Sequence, residues 1–317
     1  MAGHENTKKS VGFIGLGRMG QGMALNLAKA GYSPLVYDPV RDAVDAAVQG
    51  GCVAASSIAD IARRSDVVFQ SLPGPQQVED VVLGADGILA NMRPGLVLFD
   101  LSTSSHALAL KIEAAMRDKG GHMLDAPVSG GPAGAATGNL VLWIGGDRAV
   151  FDAHAALLSS FSTPHYVGPI GAGTVTKLAH NTLGYAIMEA QAEAFSLAVK
   201  AGLEPLEFWQ ALRLGIVGKQ SPLMMLTQQF LPNVYDKPAF ALRLALKDVR
   251  LASAMADELG VPMRLSALMR EDMEAAVARG QGDEDSRAFL KLQLERAGVD
   301  IEVSRERIDA AVNAAFP

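Results

Sequence analysis

Two sets of residues in this sequence have the types and spacing to do chemistry: Lys177 with His180 and Asn181, and the glycines at 15, 17 and 20. A lysine whose pKa is drawn toward neutrality by burial or a nearby cation can take or give a proton. Oxidising an alcohol needs a group that removes the hydroxyl proton as hydride leaves carbon, and reducing a carbonyl needs the reverse. Asn181 follows four residues later, so both side chains leave the same helix face, where an amide orients a substrate without adding charge. A lysine and an asparagine at this spacing are ordinarily a solvated face, and by themselves they decide nothing. His180 has acid–base chemistry too, but packing or a structural hydrogen bond is the role expected of it.

The glycine set is more informative. Gly15-Leu16-Gly17-Arg18-Met19-Gly20 follows an apolar run at 11–14 and opens a helical pattern over 20–30. The pattern G-x-G-x-x-G is short and common, but here a strand precedes it, a helix follows, and an acid, Asp38, stands about 20 residues on. Gly15 permits the tight turn, Gly17 lets the backbone approach a pyrophosphate, and Gly20 lets the helix pack closely. The helix N-terminus adds N–H groups and the positive end of its dipole. Asp38 is placed to accept hydrogen bonds from the ribose hydroxyls of NAD and would repel a 2′-phosphate. NAD is therefore expected, with NADP possible because Arg41 lies close by.

Ser129-Gly130-Gly131 offers a hydroxyl and two glycines whose N–H groups can approach a carboxylate; the plainer reading is a loop after a strand. Ser102 to Ser105 is a hydroxyl cluster suited to capping a helix. No metal site is expected: the sequence has one cysteine, Cys52, its six histidines are scattered, and H-E-x-x-H is missing. Cys52 is expected to be a small buried residue, and without a G-x-S-x-G elbow hydrolase chemistry has little support.

The elements that must position these residues fall into two halves. Residues 11–14, 34–37, 67–71, 97–100 and 122–125 read as strands, alternating with helical patterns at 20–30, 41–49, 58–63, 76–82 and 107–119. Such alternation predicts an α/β fold, a Rossmann-type doubly wound sheet with helices on both faces. Residues 140–145 add a strand that an antiparallel pairing would suit, before a helix at 149–158. After Gly171-Ala172-Gly173 a helical period runs nearly unbroken to Gly202, a span of roughly 45 Å at about 1.5 Å per residue. Patterns at 207–214, 221–230, 241–260, 266–279, 287–297 and 305–315 are helical as well. The expected domains are 1–170, binding NAD(P), and 171–317, an all-helical domain for substrate and oligomerisation, joined by the long helix.

Composition agrees with this and narrows the partners. The chain of 317 residues is 49% hydrophobic and 20% charged, with a formal net charge of -6, which suits large cores rather than disorder. Aromatics are 6% and basic residues do not cluster, so no nucleic-acid partner is expected. The N-terminus, Met1 to Ser10, lacks the apolar core of a signal peptide and no apolar run approaches the length of a membrane span; a cytoplasmic location is expected.

The motifs together resemble those of the β-hydroxyacid dehydrogenase family, which includes 3-hydroxyisobutyrate dehydrogenase and tartronate semialdehyde reductase. The resemblance rests on the glycine turn with Met23-Ala24-Leu25-Asn26-Leu27, on Asp125-Ala126-Pro127-Val128-Ser129-Gly130-Gly131, on Gly171-Ala172-Gly173 leading to Lys177 and Asn181, and on Lys247-Asp248 leading to Leu251-Ala252. It implies reversible hydride transfer between NAD(P) and a small hydroxy-carboxylate or its semialdehyde. It implies Lys177 as general acid/base with Asn181 beside it, and substrate held by Ser129, Gly130 and Gly131. Thr103 is implied near the nicotinamide, Leu72, Pro73 and Gln77 on the adenosine side, and Lys247 toward the nicotinamide end. A homodimer or homotetramer is the assembly expected. Lys219 either recognises a second acidic group on the substrate or faces solvent. The pattern fades near 282–286, where a C-terminal extension begins. The alternatives are an NADPH-dependent imine or semialdehyde reductase, the imine reductase not being expected to carry Lys177 and Asn181, and a non-catalytic nucleotide-binding protein.

Overall fold

The computed structural model describes residues 9–314; the first eight residues of the polar N-terminus and the end of the helix expected at 305–315 lie outside the described residues. The chain divides into two units, residues 1–182 and 183–317.

The first unit contains one sheet of nine strands: β1 (Val11–Ile14), β2 (Leu35–Tyr37), β3 (Val53–Ala54), β4 (Val67–Gln70), β5 (Val97–Asp100), β6 (His122–Asp125), β7 (Val128–Ser129), β8 (Leu140–Gly145) and β9 (Ser162–Gly168). Its order is β3-β2-β1-β4-β5-β6-β8-β7, with β9 on β8. β1 to β6 pair in parallel, β8 is antiparallel to β6 and β7, and β9 is parallel to β8. Its helices are α1 (Gly20–Lys29), α2 (Arg41–Gln49), α3 (Ile58–Arg64), α4 (Pro75–Leu83), α5 (Ile88–Asn91), α6 (His106–Asp118), α7 (Gly131–Thr137) and α8 (Arg148–Leu158); α9 (Ala172–Lys200) begins here.

Both faces of the sheet are covered, so β1, β4 and β5 are buried throughout, and the side-chain alternation sorts them between two cores rather than between core and water. Phe13, Phe69 and Phe99 are register neighbours whose rings stack at 6.2 and 5.3 Å, with Phe161 edge-on to Phe69. Ring pairs of this kind add about 0.5–1.5 kcal/mol beyond the area they bury. Ile14, Val68, Leu98 and Met123 face the opposite core with Ile61, Ile112 and Met116. Cys52 is buried, as expected, and burial pushes its thiol up to about 11.

Five elements of this unit were not foreseen, the four-residue α5 among them. β3 and β7 have two residues each, too short for an alternation to register. β9 contains Pro164 and the exposed His165, which an edge strand tolerates. α7 opens on Gly131-Pro132, where the sequence reads as a loop.

The second unit holds the C-terminal part of α9, then α10 (Pro205–Leu214), α11 (Ile216–Lys219), α12 (Leu242–Leu259), α13 (Arg264–Ala278), α14 (Lys291–Ala297) and α15 (Arg305–Asn313). The helix expected at 221–230 does not form; a single 3-10 turn, Met224–Leu226, stands there, within a segment started by Pro222 and followed by Pro232. Buried carboxylates organise this unit. Glu193 on α9 accepts from the N–H groups of Leu265 and Ser266 at 2.6 and 3.0 Å and from the Ser266 hydroxyl at 2.7 Å, capping α13. Those hydrogen bonds outweigh its partial desolvation and hold its pKa below the usual carboxylate range. Asp285, fully buried, accepts from the Arg287 guanidinium at 2.9 Å. The C-terminal extension belongs to the core of this unit, with Ala288 and Leu292 packed against Leu242, Leu246 and Met273.

Candidate dinucleotide cleft and proton-transfer helix

β1 is followed on one side of the sheet by β2 and on the other by β4, so the connections diverge at its carboxyl end, where doubly wound sheets bind ligands. A cleft of about 630 Å³ opens there, lined by Gly15, Gly17, Arg18, Met19, Gly20, Asp38, Leu72, Pro73 and Gln77 among others. The turn is built as its glycines require. Gly15 has φ +89°, and a Cβ on Gly20 would lie 1.9 Å from the Gly15 carbonyl oxygen. A Cβ on Gly17 would meet nothing within 4 Å, so the backbone there is open to a ligand. No side chain caps α1, which suits an anion at its N-terminus. These features fit the pyrophosphate of a dinucleotide.

Asp38 shapes the turn as well as facing the cleft. Its carboxylate accepts from the Leu16 N–H at 2.7 Å and from the Val40 N–H at 2.8 Å. Leu16 takes part through its backbone, its side chain being in the core. Arg41 pairs with Asp45 at 3.0 Å, one turn along α2, and is not among the cleft residues. Tyr37, Val40, Ile58 and Val81 line the cleft without having been singled out. They are apolar or aromatic residues at strand and helix ends, and only their position next to the glycine turn could have marked them.

Thr103 is exposed and does not line this cleft. Its neighbour Ser102 is buried: its N–H donates to Asp100 at 3.0 Å, and its hydroxyl accepts from the Leu72 N–H at 3.0 Å, tying the loops after β4 and β5 together. Ser105 caps α6 by accepting from the Leu108 N–H. Ser129 ends β7, and Gly130 and Gly131 follow with φ values of +129° and +63°, conformations that leave glycine strongly favoured.

Lys177 lies on the second turn of α9, partly buried, and desolvation lowers its pKa below the ordinary lysine value. It is not among the residues lining the glycine cleft. Asn181 is one turn further along, its side-chain oxygen 3.2 Å from Nδ1 of His180. The His180 ring packs on Trp143 with centroids 4.9 Å apart, in the packing role expected of it. Lys247, on α12 in the second unit, is exposed and pairs with Asp248 at 2.9 Å. Lys219 is exposed. Among the described residues no group of histidine, cysteine or carboxylate side chains is arranged to hold a metal, and no helix is long and apolar enough to cross a membrane.

The family model for the NAD-binding domain of 6-phosphogluconate dehydrogenase matches residues 10–177, and the model described as NAD-binding of NADP-dependent 3-hydroxyisobutyrate dehydrogenase matches residues 171–293. The 2-(hydroxymethyl)glutarate dehydrogenase of Eubacterium barkeri is 35% identical over 92% of this chain and 97% of its own length. The structure of Mycobacterium tuberculosis 3-hydroxyisobutyrate dehydrogenase with L-serine is similar with a TM-score of 0.63 and 28% identity, over 90% of this chain and 99% of that one. An imine reductase from Myxococcus stipitatus in complex with NAD+ has a TM-score of 0.79 over 90% and 99% of the two chains, but only 21% identity, a likeness of fold alone. The chain belongs to the β-hydroxyacid dehydrogenase family of NAD(P)-dependent oxidoreductases.

One buried acid beside the cleft has a measurable consequence. Asp100 is pushed up to about 6, chiefly by burial and further by Asp125, against its hydrogen bonding with Ser102. The folded protein therefore keeps this proton between pH 4 and 6, where the unfolded chain has released it, so the group's contribution to stability falls as pH rises through that window. Relative to the D100N variant, the wild type is expected to lose about 2 kcal/mol of stability from pH 4 to pH 7. Urea unfolding of both proteins at the two pH values checks this; parallel behaviour would contradict it.

Proposed function

We propose that this protein transfers hydride reversibly between NAD and a small hydroxy-carboxylate, such as 3-hydroxyisobutyrate, or its semialdehyde, with Lys177 as general acid/base. The observation that carries the reading is a partly buried lysine of lowered pKa on the helix that follows the dinucleotide-binding sheet. Bound NAD supplies the hydride acceptor, or NADH the donor. Lys177 in its neutral form takes the hydroxyl proton as the alcohol is oxidised, and its ammonium returns that proton to the carbonyl oxygen in reduction. Asn181 orients the reacting oxygen. Ser129, Gly130 and Gly131 hold the carboxylate, and Thr103 serves the nicotinamide end. Residues 1–170 act as the dinucleotide-binding domain and 171–317 as the substrate and oligomerisation domain. The cytoplasm is the proposed location.

The imine reductase alternative is supported by fold likeness alone, whereas Lys177 and Asn181 favour a hydroxyl substrate. A non-catalytic nucleotide-binding role would give no reason to keep a partly desolvated lysine. K177A is expected to lose about 10²–10⁴-fold in kcat with NAD affinity unchanged, and with it the rise of alcohol oxidation with pH that comes from deprotonating Lys177. Turnover near that of the wild type, followed by NADH absorbance across a panel of hydroxy acids, would remove Lys177 from the chemistry.

NAD is preferred over NADP because Asp38 faces the cleft while Arg41 is held by Asp45. The D38A variant is expected to reduce the ratio of kcat/KM for NAD to that for NADP by about 10-fold or more. An unchanged ratio would place cofactor choice elsewhere.

The protein assembles with a second copy of itself as a homodimer, or as a homotetramer. In the second unit Tyr185 and Met188 of α9, and Leu206 and Leu214 of α10, are more than half exposed, an apolar surface large enough in residue type to need covering. Light scattering is expected to give the mass of at least two chains; the mass of one chain would refute the assembly.

A further inference from the structure

Helix α9 begins in a way that its own sequence cannot support. The first residue before it, Gly171, has no side chain to accept from the helix's opening N–H groups, and φ there is +90°. A Cβ at this position would lie 2.5 Å from the His106 ring, so a capping serine or aspartate cannot stand there. The missing acceptor arrives from the sheet. Asp125, at the carboxyl end of β6 and buried, accepts from the Gly171 N–H through Oδ1 at 2.7 Å and from the Thr174 N–H through Oδ2 at 2.6 Å. These are the N-cap and third helical positions, the pair that a local capping box would serve with two side chains.

The surroundings hold the clamp closed. A Cβ at Gly173 would lie 2.3 Å from the Trp143 carbonyl oxygen and 2.6 Å from that of Asp125, and a Cβ at Gly145 would lie 2.5 Å from Oδ1 of Asp125. The first turn of α9 therefore sits against the ends of β6 and β8 with no room for side chains between. Lys177 follows Thr174 by three residues, about 4.5 Å along the helix axis, so its backbone is fixed within one turn of the anchor.

We propose that Asp125 is the positioning residue for Lys177, its carboxylate locking the first turn of α9 to the sheet and so fixing where the amine is presented. The proposal rests on Lys177 being the proton-transfer group. Asp125 does not meet the reacting atoms; it acts through the helix. A displacement of about 1 Å in a reacting group costs on the order of 10²-fold in rate.

The D125N variant keeps the shape but turns an amide NH2 toward one of the two N–H groups, and D125S, which also removes the charge and is too short to reach both N–H groups, serves as a second variant. With L-serine and 3-hydroxyisobutyrate as probes, each variant is expected to lose roughly 30-fold or more in kcat per NAD-binding site, with KM for NAD changed less than about 3-fold. Two measurements are independent of turnover. Amide hydrogen exchange in the full-length protein is expected to quicken at residues 171–177 and stay unchanged at 11–14. Trace acetic anhydride labelling, read by mass spectrometry across pH, is expected to move the titration of Lys177 up toward that of an ordinary lysine as the amine gains water. Exchange and labelling curves like those of the wild type in both variants would overturn the proposal. Absence of wild-type turnover with either probe, alongside altered exchange and labelling in the variants, would count against those substrates and leave the clamp supported.

Discussion

The first N–H groups of a helix have no acceptor within it, and where a helix starts in the interior they must find one. In this protein the most important helix starts are served by buried carboxylates from distant parts of the chain. Asp125 reaches α9 across 46 and 49 residues, and Glu193 reaches α13 across 72 and 73. An anion at a helix N-terminus also meets the positive end of the dipole, worth about 0.3–1 kcal/mol and up to about 2 kcal/mol when partly buried. The gain in fixing two elements at a defined distance matters more than the energy, because the same helix carries Asn181 and Lys177.

α1 is the instructive contrast. Its N-terminus carries no capping side chain, and the nearby carboxylate, that of Asp38, is spent on the N–H groups of Leu16 and Val40, outside the helix. One helix start is thus closed by a protein anion and the other left to receive an anion from outside. The loops between them are tied by Ser102, whose contacts to Asp100 and Leu72 join the ends of β5 and β4. The row formed by Gln70, Asp100 and Asp125 in register across three strands puts polar groups in an otherwise apolar interior, and the elevated pKa of Asp100 is the cost of that placement.

Much of this was legible in the sequence because it rests on local rules. The strands at 11–14, 97–100, 122–125 and 140–145 were read with their observed bounds, since strands that are mostly buried appear as short apolar runs between turns. The glycine turn was readable because each glycine answers a steric demand within a few residues. The uncapped stretch around 221–230 misled, since apolar residues at helical spacing do not make a helix where prolines bound them and little of the segment is buried. Spacing could have paired Arg41 with Asp45, four residues on along the helix expected at 41–49, but it could not reveal that Asp125 caps α9. The second is a pairing set by the sheet, and only a three-dimensional register brings residue 125 beside 171 and 174.

The burial of Cys52 has a practical side. Its sulfur is enclosed, lies 3.8 Å from the Ala24 carbonyl oxygen, and its thiol stays protonated far above neutral pH. Thiolate is the form that alkylating reagents attack, and the chain has no other cysteine. The native fold is thus a nearly silent background for thiol chemistry, so a cysteine introduced at any exposed position would carry a fluorophore or spin label alone.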